Sequence, residues 1–145
     1  MRFKVHSLYF AAAASLLFLA ASIGRAQILD SIYLDMHHPF TVVNTTLPPG
    51  HYVLRMIPNT DLSAMKITSA DGNESVDFLV RQSTDSHTPN HTDLIFDRYG
   101  NREFLKDVYE RGDKGGVAVI EPSRAEERLK KEGKTAVEHT EEQSQ

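Results

Sequence analysis

Between Ala64 and Arg81 the chain carries the pattern that most restricts its fold. Two alternating apolar and polar runs flank Asp71-Gly72, a dipeptide that favours a two-residue type I′ hairpin turn. With Ala70 opposite Asn73, Ile67 meets Val76 and Met65 meets Phe78 on one face, while Lys66 meets Asp77 and Thr68 meets Ser75 on the other. One register thus sorts apolar from polar and pairs opposite charges. A slip of one residue would send every apolar side chain to the wrong face. A chain with this hairpin is committed to a sheet with a buried face.

The neighbouring segments extend the same logic. In Phe40–Ile57, Phe40 and Val42, and then Tyr52, Leu54 and Met56, recur with period two around Pro48-Pro49-Gly50. Pro49 presets φ and Gly50 tolerates a positive one, so Pro48–His51 reads as a type II turn within a central hairpin. Ile32, Leu34 and Met36 alternate as a first strand that His37-His38-Pro39 ends. Gly100-Asn101, between Asp93–Tyr99 and Arg102–Glu110, predicts a II′ hairpin with Phe96 opposite Leu105 and Arg98 opposite Glu103. That register also sets Asp107 across from Leu94, a poor match that a bulge would relieve, so both alignments stay open. Val117–Ile120 suits a short closing strand. Ser123 and Glu126 have capping-box spacing, and Glu126–Lys130 and Glu127–Lys131 are favourable i,i+4 pairs, so residues 122–133 read as a helix with Ala125 and Leu129 as its apolar stripe. Residues 134–145 are charged and polar without apolar periodicity and read as a disordered tail. The expected fold is mainly β: an antiparallel meander of about seven or eight strands forming a small barrel or sandwich, with one C-terminal helix.

The first residues belong to a different category. Arg2 and Lys4 precede an unbroken run of 16 apolar and small residues, Leu8 to Ile23, and Gly24-Arg25-Ala26 supplies a small-x-small cleavage pattern. Residues 1–26 therefore read as a secretory signal peptide, with Gln27 opening a single β domain over 27–121. The expected location is periplasmic or extracellular, with nothing embedded in a membrane after cleavage. Formal net charge is −4, and the leader carries Arg2, Lys4 and Arg25 without an acid, so the domain itself is more acidic than the whole. Such a domain has no basic surface for nucleic-acid phosphates. Cysteine is absent, which rules out disulfides, thiol catalysis, thiolate metal ligation and lipid attachment at a leader cysteine.

Chemistry is sparse in what remains. His37, His38, His51, His87 and His91 are the side chains from which a metal site could be drawn, since neutral imidazole binds zinc, copper or nickel. Their places do not converge: His38 and His51 lie a strand length apart, and Pro89 prevents a helix that would bring His87 and His91 together. No metal ligand, catalytic residue or cofactor is assigned on this basis. Arg111-Gly112-Asp113 reads as a turn. Arg98, Tyr99 and Arg102 crowd the Gly100-Asn101 turn, where an Arg98–Glu103 pair and a Tyr99 lid on the core are the simplest reading. Asn44-Thr-Thr46, Asn73-Glu-Ser75 and Asn90-His-Thr92 match the glycosylation pattern, which matters only in a eukaryotic secretory pathway. Neither a Gly-x-Ser-x-Gly elbow nor a His-Glu-x-x-His motif is present.

Phe40-Thr-Val-Val-Asn44, Thr46-Leu-Pro-Pro-Gly-His-Tyr52, Leu94-Ile-Phe-Asp-Arg-Tyr-Gly100, Glu103-Phe-Leu105 and Glu121-Pro-Ser-Arg-Ala-Glu126 occur in an order that resembles a family of small exported β-rich proteins of Acidobacteria. The resemblance implies export and one compact β domain, and it brings no activity, cofactor or partner. The expected role is an exported, non-enzymatic module that binds a protein or a cell-envelope component. The alternative is a carrier with an apolar ligand among Phe40, Tyr52, Met65, Phe78 and Phe96, and a hydrolase stands third.

Overall fold

The computed structural model describes residues 31–58 and 63–144. Residues 1–26, read above as a leader, and the first residues after them lie outside the described residues. Among the described residues the elements run β1 (Ile32–Met36), β2 (Phe40–Val42), β3 (Thr45–Leu47), β4 (Gly50–Met56), β5 (Ala64–Ser69), β6 (Ser75–Thr84), β7 (Thr92–Tyr99), β8 (Arg102–Tyr109), β9 (Gly115–Val119), α1 (Arg124–Lys131) and β10 (Val137–Gln143). The mainly β expectation holds, with ten strands rather than seven or eight, but the expected antiparallel meander is replaced by a mixed sheet in which neighbours are often remote in sequence. No helix among them is long and apolar enough to cross a membrane.

The strands form a sandwich-like arrangement and do not close into a barrel. One layer is β1-β4-β5-β6, all antiparallel. The long strand β6 then changes layers: Ser75–Leu79 pairs with β5, and Val80–Thr84 pairs with β9. Beyond β9 come β8, β7 and β10, while the β2–β3 hairpin joins β8 through a parallel pair at Thr41 and Phe104, which makes the sheet mixed. Strands β1 to β9 all place side chains in one core, with Phe40, Val42, Leu47, Leu54, Met65, Ile67, Leu94, Phe96 and Val108 sealed from solvent. Phe40 stands edge-on to Tyr52 at 5.3 Å and to Phe96 at 6.1 Å, an arrangement that favours ring quadrupoles. Of the residues read above as a carrier's lining, Phe40 thus packs on both Tyr52 and Phe96.

Local pairings follow the sequence closely. The β5–β6 register is the expected one, with Met65 facing Phe78, Lys66 facing Asp77, Ile67 facing Val76 and Thr68 facing Ser75. The turn differs from type I′, which needs positive φ at both central residues. Only Gly72 has it, at 76°, and the Asp71 carboxylate organises the loop by accepting from Asn73 N at 3.1 Å and Ser69 Oγ at 2.5 Å. In β7–β8, Phe96 faces Leu105 and Arg98 faces Glu103 as expected. A bulge then leaves Lys106 without an opposite residue, so Leu94 meets Val108 instead of Asp107. That single extra residue removes the mismatch. Ser123 caps α1 by accepting from Ala125 N at 3.1 Å, and Gly133 at φ 75° ends it with a Schellman pair, Gly133 N to Lys130 O and Lys134 N to Leu129 O.

Two further expectations fail. The Pro48–Pro49–Gly50 segment does not join paired strands: β4 pairs with β1 and β5, whereas β2 folds back on β3 through Val43-Asn44. Consecutive prolines lack the N–H groups a ladder needs, and the segment becomes a crossing held by Tyr52 Oη donating to Pro48 O at 2.5 Å. The tighter turn has its own cost. Val43 sits at φ 53°, a left-handed position that strains a β-branched residue by about 1–3 kcal/mol. It delivers Asn44 Oδ1 to the start of α1, where it accepts from Arg124 N at 3.0 Å. The second failure is the tail: Val137–Gln143 is β10, an antiparallel neighbour of β7 along its whole length.

Candidate metal centre

The bulge at Lys106 and the addition of β10 decide which polar side chains meet. Along a strand alternate residues share a face. Register therefore puts Phe96 and Arg98 of β7, Glu103 and Leu105 of β8, and His139 and Glu141 of β10 on one side of three adjacent strands. His38 reaches the same place from the bend between β1 and β2, where Pro39 stops the first strand and turns the chain.

The distances are short. His38 Nε2 lies 2.6 Å from Glu103 Oε2 and 3.2 Å from Glu141 Oε2, and His139 Nδ1 lies 2.8 Å from Glu103 Oε1. Donor atoms of His38, Glu103 and His139 all fall within 4.8 Å of one another. Glu103 is 5 % exposed. Yet His38 Nε2, Glu103 Oε2, His139 Nδ1 and Glu141 Oε2 are all buried without a hydrogen bond of acceptable geometry. These atoms are close as ion pairs but not aligned as hydrogen bonds. Buried polar atoms are normally hydrogen-bonded, which makes the group of His38, Glu103 and His139, with Glu141 beside it, a candidate ligand site. Two imidazole nitrogens with one or two carboxylates make the donor set of a divalent transition-metal ion, and bond lengths near 2.1 Å would require shifts of about an ångström from the present separations.

Arg98 Nη1 is 3.8 Å from Glu103 Oε1 and offsets part of the carboxylate charge from the solvent side. Burial pushes the Glu141 carboxyl above the usual carboxylate range, an effect that His38 opposes and the Glu103 charge reinforces. A bound cation would relieve both. His38, Arg98, Gly100, Asn101, Glu103 and His139 line an open depression of about 400 Å³ beside the buried donor atoms.

Of the five histidines singled out from the sequence, only His38 enters the centre. His37 is exposed. His51 pairs with Asp35 at 3.2 Å, His87 with the Ser86 hydroxyl at 2.8 Å, and His91 with Glu142 at 3.3 Å, all on the surface. Glu103, His139 and Glu141 escaped sequence reasoning. The signal available was the period-two spacing of His139, Glu141 and Gln143, which is that of a strand, but a strand whose one apolar residue is Val137 looks like a solvated tail. The other candidates have structural roles. Tyr99 packs with Phe104 and Leu129 in a second, smaller cluster beneath α1, on the face of β7 and β8 away from the main core, and so is not the lid expected from the sequence. The Arg102 guanidinium lies 5.3 Å over the Phe104 ring, and Asp113 Oδ1 accepts from Gly115 N at 2.8 Å in the loop after Arg111. Comparison with protein-family models, curated proteins and solved structures finds no match for the chain.

Proposed function

We propose that this protein is an exported, non-enzymatic β module that binds a divalent transition-metal ion, with zinc as the reference case, through His38, Glu103 and His139. The observation that carries the reading is the Glu103 carboxylate: 5 % exposed, within 2.8 Å of two imidazoles, and with Oε2 outside any hydrogen bond. An inward-pointing charge can also guard a sheet edge against unwanted pairing, but Glu103 lies on β8, which has strands on both sides, and edge protection does not require two histidines beside one carboxylate. The leader at 1–26 supports an exported setting, where a metal-binding module meets the extracytoplasmic ion supply. Isothermal titration of the metal-free protein with Zn(II) tests the reading. Binding of one equivalent is expected, weakened about 10–100-fold or more in His38→Ala and in His139→Ala. Absence of binding to the parent protein, or equal affinity in both variants, refutes it.

A further inference from the structure

The three donors above leave a tetrahedral ion one position short. Zinc with three protein ligands and a water is the arrangement of catalytic sites, whereas four protein ligands make a closed one. Glu141 is the next candidate. Its Oε2 is 3.2 Å from His38 Nε2, the side chain is 12 % exposed, and this atom too is buried without a hydrogen bond. It follows His139 by two residues, so both project from the same face of β10.

β10 is also a strand with little else to hold its inner face. Its apolar residue, Val137, is 61 % exposed. The inward positions are His139, Glu141 and Gln143, and Gln143 is used to bridge to β1, its Oε1 accepting from Asp35 N at 2.7 Å. Other attachments, Lys106 to Glu138 at 2.8 Å and His91 to Glu142 at 3.3 Å, are surface ion pairs worth little. Hydrophobic burial, which anchors the other nine strands, contributes almost nothing here.

We infer that Glu141 is the fourth ligand, and that the ion, by joining the β1–β2 bend, β8 and β10, locks β10 onto β7. This rests on the metal-binding reading above. It makes the centre closed, and so structural or sequestering, in agreement with a non-enzymatic module. Release of the ion would loosen β10 first.

Hydrogen–deuterium exchange of the full chain with and without Zn(II), alongside titration of Glu141→Gln, tests the inference. Zn(II) is expected to slow exchange of the β10 amides, and Glu141→Gln to bind about 10–100-fold more weakly and to lose that protection. Glu142→Gln, altered on the outward face of the same strand, should behave as the parent. If Zn(II) binds the parent but Glu141→Gln binds equally well, or β10 exchange does not respond, the fourth-ligand role is overturned while the three-donor site stands. If the parent binds no Zn(II), the site itself is wrong.

Discussion

Replacing Glu103 by leucine separates what the buried carboxylate does for the fold from what it does for a ligand. The charge has lost nearly all its water, and its compensation comes from His38, His139 and Arg98 at 2.6, 2.8 and 3.8 Å, which are 35, 27 and 41 % exposed. Each of these part-exposed side chains can turn towards water once the carboxylate is gone. Desolvating one carboxylate costs several kcal/mol, and exchanging a whole buried ion pair for apolar residues is often neutral or stabilising by about 1–4 kcal/mol. Removing one partner costs about 3–5 kcal/mol where it strands the other charge in the interior; here the partner side chains are part exposed. Leucine at 103 would extend an inner face that already holds Leu105 and Phe96. In EDTA, Glu103→Leu should therefore be as stable as the parent, within about 1 kcal/mol, or more stable. With Zn(II) at about 100 times its dissociation constant, the parent gains about 2.7 kcal/mol. For a domain of this size that is a rise of about 10 °C in Tm. The variant should show no rise. Thermal unfolding by circular dichroism under the two conditions provides the assay. A loss beyond about 3 kcal/mol in EDTA would show that the carboxylate holds the fold through its ion pairs, and a persistent Zn(II) shift would remove it from the ligand set; either result defeats the reasoning.

Two predictions concern the frame around the site. A Cβ on Gly116 would lie 2.4 Å from Val108 O and from Tyr109 Cδ1, so Gly116→Ala must push β8 and β9 apart and should cost about 1–3 kcal/mol; an unchanged urea midpoint would contradict this. Burial raises the Asp107 carboxyl above its ordinary value, the Ser83 hydrogen bond opposing the shift. The folded state therefore holds that proton more tightly than the unfolded chain, so this group adds stability as pH falls through its folded pKa and withdraws it as pH rises. Asp107→Asn should raise the urea midpoint at pH 7 and flatten this part of the acid profile, and a lower midpoint at pH 7 would refute the assignment.

Short-range pairings were legible because period two and turn chemistry act between residues close along the chain. Met65 against Phe78 and Phe96 against Leu105 follow from turn position alone, and Ser123 marks its helix for the same reason. What lay beyond reach were contacts that local patterning does not encode. A sequence with two prolines before Gly50 allows either a turn or a crossing, and the pairing of β4 with β1 and β5 selected the crossing. The bulge at Lys106 was one of two admissible alignments until β9 and β7 had to be matched on both edges of β8. β10 had no signature because its inner face is polar; its place comes from the backbone groups of β7 and from the partners that His139 and Glu141 find there. By itself, then, the sequence determined that the chain is a sheet of tight hairpins with one buried face, since hydrophobic alternation is a property of neighbours. Only the tertiary structure brought His38, Glu103 and His139 from three remote segments to one point, because distant strands become adjacent through the packing of the whole core and not through any spacing along the chain.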